Sequence, residues 1–244
     1  MKACLGIAAT VLTLTASFAS AEGVNLSWND CGSAGTQNQT FACNINSGTS
    51  FPAFASFIAP AAVNEFLGLS SQIDIFTDQA NLPDWWKHGT TQCRGTGGLA
   101  VSFDFTGGPS TCTDFYHGVA AGGFAYDVGF GNPARARLRI QAAVPVENKG
   151  PVPPPTEFYA YKVNLLLAKT TGTGSCLGCT NSACIVLNDI QLFQPLNVLN
   201  DPQIVNPANR NYVTWQSPAG GPTGCPLATP TRNATWGRVK SLYR

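Results

Sequence analysis

Hydrophobic and polar residues alternate with a period of two over much of this chain. Val24, Leu26 and Trp28 alternate with Asn25, Ser27 and Asn29. Val101, Phe103 and Phe105 alternate with Ser102, Asp104 and Thr106, and Ala136, Leu138, Ile140 and Ala142 with Arg135, Arg137, Arg139 and Gln141. Leu67, Leu69, Ile73 and Ile75 share one parity, with Ser70, Gln72 and Asp74 on the other. Successive side chains of a strand point to opposite faces, so each run predicts one dry face and one wet face. That pattern belongs to antiparallel sheets with a solvated side. Segments 158–168 and 184–193 are apolar on both parities, which predicts central strands covered on both faces. Segment 51–58 reads as an aromatic-rich strand and 124–130 as a glycine-broken one.

Helical periodicity is scarce. Segment 61–66 has room for one or two turns. Segment 233–243 predicts a short C-terminal helix: Asn233 caps it, and Trp236, Val239, Leu242 and Tyr243 recur on one face. Arg238, Lys240 and Arg244 fall late in it, where the helix dipole favours cations. Glu147-Asn148-Lys149-Gly150 reads as a turn. Pro151, Pro153, Pro154 and Pro155 make the stretch after it an extended, stiff loop within one domain. Many short strands divided by Gly, Pro and Asn predict an all-β, antiparallel β-sandwich, jelly-roll-like, occupying residues 22–244 as a single domain.

The start of the chain changes where this domain is expected to fold. Lys2, an apolar or small run over 3–18, and Ala19-Ser20-Ala21 form the three-part pattern of a cleavable secretory signal, residues 1–21. The apolar part is shorter than the roughly 20 residues a membrane span takes. No membrane span is expected in the mature chain, whose location is then extracellular or periplasmic. Of nine cysteines, Cys4 leaves with the signal. Cys31, Cys43, Cys93, Cys112, Cys176, Cys179, Cys184 and Cys225 remain, an even set that implies a disulfide framework in an exported protein. Neighbour logic pairs Cys31 with Cys43 and Cys93 with Cys112. One of Cys176, Cys179 and Cys184 then reaches Cys225. Zinc prefers paired C-x2-C knuckles or Cys with His. Only one C-x2-C is present and His88 and His117 lie far upstream, so no metal and no cofactor are expected.

Charged residues make up 11% of the chain, against about 25% in ordinary domains. The formal charge of +1 falls to zero once Lys2 is removed. A neutral surface rich in Asn, Gln, Ser and Thr lacks the clustered cations that displace counterions from nucleic acid. Candidate chemistry is sparse. Asp84-Trp85-Trp86-Lys87-His88 is the densest cluster. Its two indoles offer a platform for the apolar faces of sugar rings, with Asp84 and His88 as hydrogen-bonding partners, or else plug the core. His117 after Asp114 lacks a nucleophile-elbow serine. Asp74 and Asp104 are strand-borne carboxylates of the kind a hydrolase uses in pairs. Asp189 and Asp201, with Asn188 and Asn200, follow no calcium-loop spacing. Arg135, Arg137 and Arg139 form a basic stripe on one strand face, which either binds an acidic glycan or a partner's carboxylates or, the reading preferred, guards a sheet edge. These observations favour a secreted or cell-surface protein, not an enzyme, that works by binding or assembly with an extracellular glycan or a surface protein. A carbohydrate-binding module built on Trp85 and Trp86 is the first alternative, and a secreted hydrolase the second.

Overall fold

The computed structural model describes residues 22–48, 50–198, 200–216 and Cys225. The expected signal over 1–21 and the expected helix over 233–243 lie outside the described residues. The rest is nearly all β. One sheet joins β1 (Gly23–Trp28), β3 (Phe51–Ile58), β10 (Glu157–Leu165) and β6 (Leu99–Ser102), in that spatial order. The other joins β2 (Asn38–Gln39), β13 (Tyr212–Trp215), β11 (Ala183–Phe193), β5 (Gly68–Thr77), β8 (Arg135–Ala143) and β7 (Ala121–Val128), with β12 (Gln203–Ile204) also on β11. A small ribbon pairs β4 (Val63–Phe66) with β9 (Gly150–Val152). The pairings are antiparallel except that of β2 with β13. Among the described residues there is no α-helix, and no helix long and apolar enough to cross a membrane.

The two sheets close over one core because the dry parities meet. Leu69, Ile73 and Ile75 of β5 and Leu138 and Ile140 of β8 are buried beneath Leu26, Trp28, Ala55, Phe57 and Tyr161 of the first sheet. Trp28 meets Trp215 at 6.2 Å between ring centroids. The Tyr161 and Ser71 hydroxyls hydrogen-bond across the interior at 2.6 Å, so two polar groups on dry parities satisfy each other. β10 and β11 are central strands, as their two-sided apolar runs predict.

Three local expectations fail, each because tertiary contacts override the local pattern. β1 has no wet face. Asn25 and Ser27 are buried, with Asn25 donating to Glu157 Oε1 at 2.7 Å and accepting from the Asn209 amide at 2.8 Å. Segment 61–66 contains strand β4 instead of a helical turn, since Val63 and Phe66 gain burial by pairing with β9. The strand expected through Thr106 ends at Ser102. Phe103 and Phe105 stay buried in a coil, where Phe105 stacks on Tyr159 at 4.5 Å.

All eight cysteines among the described residues are paired, as Cys31–Cys112, Cys43–Cys179, Cys93–Cys176 and Cys184–Cys225. Pairing of sequence neighbours is therefore wrong for Cys31 with Cys43 and for Cys93 with Cys112. Each bridge spans a long loop instead, up to a separation of 136 residues for Cys43–Cys179. By loop-closure entropy such a bridge removes about 4–5 kcal/mol of freedom from the unfolded chain, against about 3 for a short loop.

Candidate binding face

The tryptophan cluster is core. Asp84–Trp86 forms a single 3-10 turn after Pro83, anchored by the Trp85 amide donating to Leu177 O at 2.9 Å. Trp85 and Trp86 are both 0% exposed. Trp85 stacks on Trp215 at 4.8 Å and meets Trp86 edge-on at 4.9 Å. Its indole N–H donates to Thr170 Oγ1 at 3.1 Å. Of the two readings of this cluster the core plug applies and the solvent-facing platform is corrected: both rings are spent sealing the end of the sandwich. Asp84 stays outside, paired with Lys87 at 2.7 Å.

His88 is 3% exposed, edge-on to Tyr126 at 5.0 Å. Burial, then the nearby Arg94 charge, pushes its pKa down to about 3, which keeps the imidazole neutral. The buried Arg94 guanidinium lies over the Trp85 ring at 4.1 Å and donates to the carbonyls of Trp85, Gly98 and Leu166. Burial lowers its pKa to about 10, so it remains a cation at neutral pH.

The polar parities of β5, β8 and β11 bring together residues that the sequence offered only separately. On the outer face of the larger sheet Asp74, 0% exposed, receives a two-pronged contact from Arg137, Nε to Oδ1 at 2.7 Å and Nη2 to Oδ2 at 2.9 Å. Arg135 and Asn188 also donate to Oδ2, the latter at 2.6 Å. Arg137 reaches on to Gln72 Oε1 at 2.9 Å and lies over the Phe130 ring at 4.2 Å. Burial pushes the Asp74 carboxyl up, but hydrogen bonds from Arg137, Arg135 and Asn188 outweigh it and hold the group below its ordinary value. Neighbouring Asp189 accepts from Gln203 at 2.8 Å, and there burial prevails and raises the carboxyl. Forked arginine–carboxylate contacts fix geometry as well as charge, so this ladder stiffens the sheet.

Beside the ladder runs a groove of about 470 Å³. Cross-strand pairing sets its walls: Ser70 faces Gln141, which faces Gly123, and Gln72 faces Arg139, which faces Ala125. Gly123 and Ala125 are short, so the floor drops along β7 while Gln141 and Arg139 stand above it. Arg139 is exposed and pairs with Asp127 at 2.8 Å, a contact of the kind that solvent makes weak and exchangeable. The alternating runs displayed Ser70, Gln72, Arg139 and Gln141, but not the low floor of Gly123 and Ala125. The juxtaposition of β5 with β8 that makes a site of them was not visible.

The remaining candidates are held in structural roles. Arg135, Arg137 and Arg139 do not guard an edge, because β8 is the second strand and β7 lies outside it. The Asp114 carboxylate accepts from the Tyr116 and His117 backbone amides at 2.8 and 3.3 Å, capping a turn rather than orienting an imidazole. Asp104 accepts from the Thr106 amide at 2.9 Å. Asp201 accepts from the Gln194 amide while Asp189 faces Gln203, so no shared oxygen cage forms between them. Cys31, Cys112 and Glu157 lie together, but the two sulfurs are bonded to each other and Glu157 accepts from Asn25 and Ser56.

No family model matches this chain, and no curated protein matches it. Among solved structures it is similar to a cohesin module from a family 33 glycoside hydrolase of Clostridium perfringens ATCC13124. The identity is 9% and the TM-score 0.37, over 80% of this chain and 98% of that one. At that level the likeness transfers neither a function nor a partner.

Proposed function

We propose that this chain is an exported, non-enzymatic binding protein that works at a cell surface or in the extracellular space, and that the outer face of its larger sheet is the binding surface. One observation carries the reading: a stiffened, polar groove in which Ser70, Gln72, Arg139 and Gln141 present hydroxyl, amide and guanidinium groups above the low floor of Gly123 and Ala125. Such groups suit a ligand rich in hydroxyls, with a carboxylate free to displace Asp127 from Arg139. A glycan bearing acidic sugars meets that description. Export is supported by four disulfides, which persist in oxidising compartments, and by the three-part pattern of residues 1–21.

The test is a glycan array probed with the oxidised protein and with an Arg139→Ala/Gln141→Ala variant. The expected result is binding to acidic glycans that the variant loses at least tenfold, at unchanged thermal stability. Binding that survives the double substitution, or that tracks instead with Trp85 and Trp86, would refute the groove.

A further inference from the structure

The arginine stripe lies one strand in from the edge, so the edge itself is β7, and among the described residues no strand pairs with its outer side. It is eight residues long and pairs with β8 without a register shift. It contains no lysine, arginine or proline, and its one charge, Asp127, is already paired with Arg139. Natural edges of that length are normally blunted by charge, proline or a bulge. Residues 121–125 are exposed, and Val119, Phe124 and Phe130 leave 44%, 42% and 42% of their surface in water along this border.

The hydrogen-bonding groups that β8 leaves unused, among the described residues, can be assigned by parity. The Gly129 amide donates to Arg135 O at 2.7 Å, and the Thr77 amide to Ala134 O at 3.3 Å. In an antiparallel ladder such pairs alternate. Odd-numbered β7 residues therefore address β8, and Gly122, Phe124, Tyr126 and Val128 turn their N–H and C=O groups outward.

We infer that β7 is a self-association edge, where a second copy of this chain adds its own β7 antiparallel about a two-fold axis through Ala125. That register uses all four outward positions: Gly122 faces the partner's Val128 and Phe124 faces the partner's Tyr126, each pair exchanging backbone hydrogen bonds. Phe124 gains an aromatic neighbour, a favourable cross-strand pair. The charges are compatible with self-pairing. Asp127 faces the partner's Gly123, so the two carboxylates never meet, and a chain whose formal charge is +1 with residues 1–21 and zero without them does not repel its copy. Both inner faces lie on the same side, so the two sheets become one, and the polar grooves, which share Gly123 and Ala125 as floor, abut across the axis. One strand pair buries less than the roughly 1,000 Å² of a robust interface, so the dimer is weak and concentration-dependent. The inference goes beyond the binding reading and does not need any ligand.

Sedimentation of the oxidised protein without ligand tests it. The wild type shifts from monomer to dimer as concentration rises. Ala125→Lys and Ala125→Glu, each outward-facing and exposed, are monomeric alone and dimeric when mixed, since unlike charges then meet on the axis. Gly123 has open space where a side chain would stand. Gly123→Lys therefore tightens the dimer against the partner's Asp127 and Gly123→Glu loosens it, a second readout of the register should the Ala125 variants lose their fold. A wild type monomeric to about 1 mM, the weak limit of measurable pairing, overturns the inference. So does a dimer indifferent to these substitutions, one abolished by ending the chain at Cys225, or growth into open chains.

Discussion

Asp74 shows how a residue that reads as a candidate acid becomes a structural keystone. Its carboxylate holds two arginines and an asparagine in place. Removing one partner of a buried pair leaves the other charge uncompensated, at a cost of about 3–5 kcal/mol. Asp74→Ala is expected near the low end, about 3, because Arg135 keeps some water; urea unfolding measures it. His88 behaves oppositely. In the unfolded chain it takes up a proton near pH 6.5, but in the folded protein not until about pH 3. Between those values the unfolded state binds more protons, so stability rises with pH and falls by about 1.4 kcal/mol for each unit of acidification. His88→Gln should make the dependence of unfolding free energy on pH shallower by about that slope between pH 6 and 4. An unchanged slope would mean the imidazole is not buried as described. Asp74 adds its own loss only in stronger acid, as the pH drops through its lowered carboxyl value.

At the scale of elements, period-two alternation was enough to locate β5 and β8 and to separate their dry and wet sides. It was also enough to mark β10 and β11 as central, because two-sided apolar runs need cover on both faces. What it lacked was information on neighbours. The partner of Ser70 and Gln72 is fixed by chain topology, so the groove was present as residues and absent as a site. The tryptophan turn stayed open between two readings for a related reason: adjacent indoles look alike in sequence whether they cover a sugar or a core, and here Trp215, 129 residues beyond Trp86, decided it. Trp85→Ala should accordingly cost about 3–5 kcal/mol of stability while glycan binding per folded molecule stays unchanged. Scanning calorimetry together with the array separates the two effects.

At the scale of the whole molecule, the disulfides do what short-range reasoning missed. Each of the four links segments far apart in sequence, with separations of 81, 136, 83 and 41 residues. Three of them, Cys31–Cys112, Cys43–Cys179 and Cys93–Cys176, tie one inter-strand segment to another, and Cys184 of β11 holds Cys225, which lets a chain with 25 glycines and 17 prolines hold a fixed shape. Proximity along the chain was the wrong guide because the strands bring distant coils to the same end of the sandwich. The most direct test of an exported sandwich cross-linked in this way is non-reducing peptide mapping of the secreted product by mass spectrometry. It should find an N-terminus at Glu22 and the links Cys31–Cys112, Cys43–Cys179, Cys93–Cys176 and Cys184–Cys225. Free thiols, a Cys31–Cys43 link, or a retained residue 1–21 segment would contradict it.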